Sequence, residues 1–274
     1  GGCHYPGTCI NYTTGCGNCH YFKNPEKHDF SFQLNKKKQD LWKALDITIA
    51  APSKWIAELA SQSTIFQNRN IEIIKTGVDE QHFKPFEKSI LREIFNISKE
   101  KKFILFGADS ARDERKGIQY LIKALQNFST HERKDITLGI FGGNYDQSID
   151  EMGFEVHYFG YITETFLPIL YNLSDVFIAP SLEENLPNTA IEAMACGIPT
   201  VSFNIGGMPD LIHHNKNGCM ANAKDSNDLY ENIRYALDHS ELLGKEARKT
   251  ILQDFTLEKQ ANQYIKLYNT ILKN

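Results

Sequence analysis

The chain has 274 residues, 41% hydrophobic and 23% charged, a balance that fits a folded globular protein and excludes a disordered or fibrous one. Its formal net charge of −4 offers no bulk positive field, so nucleic acid is not an expected partner. No apolar run approaches the roughly 18 residues of a membrane span. In chain order, residues 1–30 are rich in Gly, Cys, His, Asn and Pro and read as an irregular loop. A polar helix is predicted over Lys36–Ala44. Asp46–Pro52 reads as a short buried strand and Ile71–Ile74 as another short strand. Between them Ser53 can cap a helix from Lys54 to Ser61. Gly77, Val78, Asp79 and Pro85 then break the pattern, so a linker is predicted at 76–100.

From Lys101 the pattern is regular. Strands are predicted at Phe103–Phe106, Ile136–Phe141, Val156–Phe159, Val176–Ala179, Thr200–Phe203 and Gly218–Ala221. Helices are predicted at Ile118–Phe128, Phe166–Asn172, Thr189–Cys196 and Pro209–Leu211. Short apolar strands alternating with helices imply right-handed crossovers and a parallel sheet, an α/β Rossmann-like unit over 101–255. Three helices close the chain at Ser226–His239, Glu241–Asp254 and Thr256–Leu272.

The most informative stretch runs from Pro180 to Thr200. It leaves a predicted strand and opens a helix at Asn188–Thr189, where open α/β sheets bind ligands. First-turn amides of a helix are unpaired and carry partial positive charge, so they suit a phosphate. Glu184 precedes that turn and Glu192 follows it; carboxylates suit hydroxyl groups. Phosphates between two hydroxyl-binding carboxylates describe a nucleotide sugar. Taken alone, two acids at this spacing read as mostly structural, since acids near helix N-termini are common for dipole reasons.

The string Glu184-x7-Glu192 followed by Ala-Met-Ala-Cys-Gly-Ile-Pro closely resembles the retaining glycosyltransferases of the GT4 family, which have the GT-B fold. Ile74–Asp79, Lys116-Gly117, Phe159-Gly160, Ser174–Ser181 and Gly206–Asp210 resemble further family segments in the same order. The resemblance spans about residues 46–260. It implies a donor half, complete here over 101–255, and an acceptor half of which residues 1–75 are the C-terminal remnant. The final helix, 256–274, is expected to cross back onto that half. The implied activity is transfer of a sugar from a UDP- or GDP-linked donor to a saccharide or lipid-linked acceptor, with retention and without a catalytic metal, in polysaccharide or glycoconjugate assembly. The implied setting is the cytoplasm or the inner membrane face, reached through the remainder of the acceptor half. With Gly1 as first residue, the chain reads as a fragment that is inactive alone.

The resemblance also implies roles. Lys116 neutralises the donor diphosphate. The family's accompanying arginine is absent, since Ala108 follows Gly107, and Arg115 or Arg112 is the substitute, with Arg115 favoured. Glu184 contacts the transferred sugar and Glu192 the ribose hydroxyls. Leu186, Pro187, Asn188 and Thr189 surround the phosphates and sugar; Gly160 and Tyr161 adjoin the base. Gly206 and Gly207 read as turn geometry.

Cys3, Cys9, Cys16 and Cys19 form Cys-x5-Cys-x6-Cys-x2-Cys. A structural zinc is the expectation, with His4 and His20 as competing ligands and disulfides or free thiols as alternatives. Asp-x-Asp, Gly-x-Gly-x-x-Gly, the P-loop string and Gly-x-Ser-x-Gly are absent, which disfavours other transferase, dehydrogenase, NTPase and hydrolase classes. The competing functions are a non-catalytic nucleotide-sugar-binding half, a sugar-nucleotide epimerase-like protein and a zinc-knuckle interaction module.

Overall fold

The computed structural model describes residues 9–107, 114–143 and 147–273. The chain divides into two compact units, Gly1–Lys75 and Thr76–Asn274.

In the first unit, helix α1 (Phe30–Trp42) begins six residues before its predicted start. Asp29 explains the difference: its carboxylate accepts from the Ser31 and Phe32 amides and caps the helix. Strands β1 (Thr48–Ala51) and β2 (Asn70–Ile73) pair in parallel, in register from Thr48 with Asn70. Helix α2 (Lys54–Gln62) joins them, and the Ser53 hydroxyl accepts from the Ile56 amide as its cap.

The second unit begins with α3 (Lys88–Ile94), which lies inside the segment read as a linker. That segment is pinned. Arg92 is 4% exposed and donates to Asp175 and to the Leu173 carbonyl. The buried Asn172 side chain accepts from the Phe86 amide and donates to the Lys84 carbonyl. Arg248 donates to the carbonyls of Glu80 and Phe83. No sequence pattern announces such side-chain ties, so the stretch reads as a linker.

Then follow β3 (Lys102–Gly107), α4 (Ile118–Gln126), α5 (Thr130–Lys134), β4 (Ile136–Phe141), β5 (Glu155–Gly160), α6 (Leu167–Leu173) and β6 (Val176–Ala179). Next come α7 (Asn188–Ala195), β7 (Thr200–Phe203), α8 (Met208–Leu211), β8 (Gly218–Ala221), α9 (Ser226–Asp238), α10 (Ser240–Asp254) and α11 (Leu257–Ile271). All six predicted strands form, in one parallel sheet of order β5-β4-β3-β6-β7-β8.

Helices cover both faces of this sheet, so its strands must be apolar on both sides. Alternate residues of β3 divide accordingly. Ile104 and Phe106 pack with α4 and α9, whereas Phe103 and Leu105 pack with α6, α7 and α10. The result is a three-layer α/β unit of the Rossmann type. Near its end, Val78 bridges Thr256 and returns the chain to the start of the unit just before α11.

Candidate functional site

The strand order reverses between β3 and β6. The chain runs from β3 outward to β4 and β5, then returns beside β3 and runs outward to β7 and β8. Loops leaving the carboxyl ends of β3 and β6 therefore diverge, and a crevice opens between them. A cavity of about 260 Å³ lies there. Its floor is Gly107 at the end of β3, Phe141 and Gly142 at the end of β4, and Ala179 and Pro180 at the end of β6. A register shift between Ile140 and Phe141 re-aims the end of β4 at this rim.

Three loops build one wall. Gly117, the αL residue before α4, allows the loop after β3 to touch the loop after β6. A Cβ there would stand 1.9 Å from the Pro180 carbonyl oxygen. The Leu182 amide donates to the Arg115 carbonyl at 2.7 Å and ties the same two loops. Lys116 Nζ then reaches Glu184 Oε2 at 2.9 Å. From the other side, the turn after β7 closes on Glu184. The Gly207 amide donates to the Glu184 carbonyl, and a Cβ on Gly206 (φ +52°) would stand 1.9 Å from that oxygen.

Helix α7 starts at this wall. Pro187 is its N-cap and provides no side-chain bond to the first-turn amides. Those amides keep their partial positive charge beside Lys116 and Glu184, an arrangement suited to an anion. Thr189 lines the cavity, Asn188 is exposed, and Leu186 is buried in the core, where it anchors the loop.

Glu192 sits one turn into α7 and is half-buried. It accepts from the Tyr171 hydroxyl at 2.9 Å. Burial raises its carboxyl above the ordinary value; the Tyr171 bond opposes the rise, Glu164 adds to it and His82 subtracts from it. Tyr171 is fully buried, and burial together with Glu192 keeps its hydroxyl protonated far above neutral pH. One turn on, burial pushes the Cys196 thiol well up, so it is an inert core residue.

The structure thus brings Lys116, Glu184, Pro187, Thr189 and Tyr161 to one cavity. Leu186 points into the core, and Glu192 is set one turn back from the lining. Gly160 ends β5 with its carbonyl accepting from the Gly142 amide. Arg115 is exposed beside Lys116, and Arg112 lies outside the described residues. Tyr171 and Phe141 are the residues sequence reasoning missed; both read as ordinary core aromatics.

In the first unit, Cys9, Cys16 and Cys19 line a small apolar cavity of about 160 Å³, and none is disulfide-bonded. Cys16 Sγ accepts a weak bond from Asn35 Nδ2 at 3.7 Å. Among the described residues, no group of three or more His, Cys, Asp or Glu is arranged to hold a metal. Cys3 and His4, the other candidate ligands, lie outside the described residues. Among the same residues no helix is long and apolar enough to cross a membrane.

A family model described as glycosyl transferases group 1 matches residues 87–251. The N-acetyl-alpha-D-glucosaminyl L-malate synthase of Bacillus anthracis is 22% identical over 84% of this chain and 61% of its own length. The mannosylfructose-phosphate synthase of Agrobacterium fabrum is 27% identical over 82% of this chain and 53% of its own. The chain therefore spans less than two thirds of the length of these relatives. Among solved structures, Anabaena Alr3699/HepE in complex with UDP and glucose aligns with a TM-score of 0.70 at 20% identity, over 86% of this chain and 67% of that one. This likeness establishes the GT-B type of fold.

Proposed function

The chain belongs to the glycosyl transferases group 1 family, and on that premise we propose that its second unit is the donor site of an enzyme that transfers a sugar from a nucleotide-diphosphate sugar to a saccharide or lipid-linked acceptor. One observation carries the reading: Lys116 and Glu184 meet at the sheet's switch point, beside the uncapped start of α7. A cation and free amides suit a diphosphate, and a carboxylate next to them suits the hydroxyls of the sugar it carries. The UDP and glucose bound by the Anabaena protein favour the same ligand class.

In this reading Lys116, seconded by Arg115, and the amides of Asn188 and Thr189 stabilise charge that builds on the leaving diphosphate. Fixed charges aimed at a developing anion are the largest single source of rate enhancement in many enzymes. Glu184 orients the transferred sugar, Glu192 accepts the ribose hydroxyls, and Gly160 and Tyr161 flank the base. The bond from the anomeric carbon to the diphosphate breaks with its electron pair passing to the phosphate oxygen. The acceptor hydroxyl attacks the same face, and its proton passes to that oxygen, so configuration is retained. The fixed cation and amides take the charge-stabilising role, so turnover is expected to persist in a chelator.

The test is calorimetry of this chain with UDP, GDP and their glucose conjugates, followed by transfer assays with the complete coding sequence and NMR of the product anomer. Binding of one nucleotide and a retained anomer support the reading. Failure of every nucleotide to bind overturns it. Donor binding with no transfer to any acceptor would indicate a non-catalytic binding half.

A further inference from the structure

We propose that Tyr171 is a positioning residue that fixes the Glu192 carboxylate for the nucleotide, by bonding one of its oxygens and leaving the other toward the ligand. The inference rests on the reading of Glu192 as the acceptor of ribose hydroxyls.

The tyrosine ring is held by three aromatics, one from the segment before α3, one from β4 and one from β6. Its centroid lies 6.3 Å from that of Phe83, 6.3 Å from that of Phe141 and 5.5 Å from that of Phe177. A ring so enclosed has no freedom to move its hydroxyl, which must find a partner inside the protein. That partner is Glu192 Oε2, at 2.9 Å. Among the described residues Glu192 has no other hydrogen-bond donor, so Oε1 is left for a ligand. A glutamate has three rotatable bonds, and one fixed oxygen removes most of that freedom before the nucleotide arrives.

The contact also governs charge. The groups around Glu192 are Tyr171 on α6, Glu164 in the turn after β5, His82 in the segment before α3, Cys196 on α7 and, beside Cys196, Arg248 on α10. Burial and Glu164 favour the protonated carboxyl, while Tyr171 and His82 favour the carboxylate. Ribose hydroxyls donate to the carboxylate, so the hydroxyl of Tyr171 widens the pH range over which Glu192 can accept them.

The test measures affinity of the 274-residue chain for UDP and GDP from pH 4.5 to 8 by calorimetry. Tyr171→Phe keeps the ring and is expected to weaken binding at pH 7 about five- to twenty-fold, less than the loss of a direct charge-assisted bond because the hydroxyl acts only through Glu192. The acidic limb of the affinity profile should move to higher pH. Glu192→Gln should weaken binding at least as much and abolish that limb, and Tyr171→Phe should then have no further effect in the Glu192→Gln background. A His82→Asn variant that keeps the limb assigns it to Glu192 rather than to His82. Wild-type affinity and pH profile in Tyr171→Phe, with Glu192→Gln impaired, overturns the role of Tyr171 alone. Wild-type binding by Glu192→Gln overturns the ribose reading itself. If Tyr171→Phe does not fold, 3-fluorotyrosine placed at position 171 acidifies the donor and should shift the limb to lower pH; an unchanged limb overturns the proposal.

Discussion

Lys116 and Glu184 are 68 positions apart in the chain, yet Nζ of one lies 2.9 Å from Oε2 of the other. Their side chains are 47% and 24% exposed, so the pair adds little to stability. Its consequence lies in charge. Without a donor, the cation and the carboxylate neutralise each other. On the proposed function, a diphosphate would compete with Glu184 for Lys116, and its arrival would free the carboxylate to accept the sugar's hydroxyls.

Opposite effects on nucleotide binding follow. Lys116→Ala should weaken UDP or GDP binding roughly ten- to a hundred-fold, the range of one charge-assisted bond. Glu184→Gln should leave nucleotide binding unchanged or strengthen it, because Lys116 no longer has a competing carboxylate. The same variant should lose the added affinity that a nucleotide sugar has over the bare nucleotide. Both should melt within a few degrees of the parent chain. Calorimetry with the nucleotide and its glucose conjugate separates the two effects; equal losses for both variants would contradict a shared ion-pair switch.

The approach of backbone loops behind Glu184 gives a second prediction. Gly206→Ala adds a Cβ where the Glu184 carbonyl oxygen already stands, at a φ that L residues rarely adopt. The loop must retreat and carry Glu184 away from Lys116. Affinity for the nucleotide sugar should fall at least ten-fold, while far-UV circular dichroism stays that of the parent. Gly117→Ala meets the Pro180 carbonyl in the same way and should act on the Lys116 side, with nucleotide affinity falling as well. Parent-like binding by both variants would remove the loops' role in building the site.

Much of this architecture was legible in the residues. The strands of the second unit are short apolar runs between turn residues, and burial on both faces makes that pattern unambiguous; Phe103, Ile104 and Leu105 are all fully buried. Helix α5 escaped because five residues show no period, although Ser129 and Glu132 form a capping box. The start of α1 escaped because its signal is one aspartate ahead of a polar sequence. In the candidate site, Lys116 is named by the family resemblance and Glu184 by the helix-start pattern together with that resemblance, and the structure places the two side chains in contact. Tyr171 carries no such signal. A tyrosine at helical spacing reads as core, and only the packing of α6 against α7 aims its hydroxyl at Glu192.

At the amino ends of the central strands, Asp175 precedes β6 and accepts from Lys88 at 2.7 Å, from Arg92 at 2.8 Å and from the Phe103 amide at 2.7 Å. Burial opposes its ionisation, but Lys88 and Arg92 outweigh burial and hold its carboxyl below the ordinary range. A depressed carboxyl adds stability that is fully present above its unfolded pKa of about 3.9 and is lost as pH falls through the folded value. Asp175→Asn leaves the buried Arg92 without its counter-charge, a loss of roughly 3–5 kcal/mol at pH 7. Urea denaturation should therefore find the variant much weaker at neutral pH, with the two proteins converging as pH falls below about 4. A variant that stays equally far below the parent down to pH 2 would mean that its loss comes from packing rather than charge. Because Asp175 ties α3 to the starts of β3 and β6, the variant should also loosen the strands whose far ends carry the candidate site, and UDP or GDP affinity at neutral pH should fall with stability.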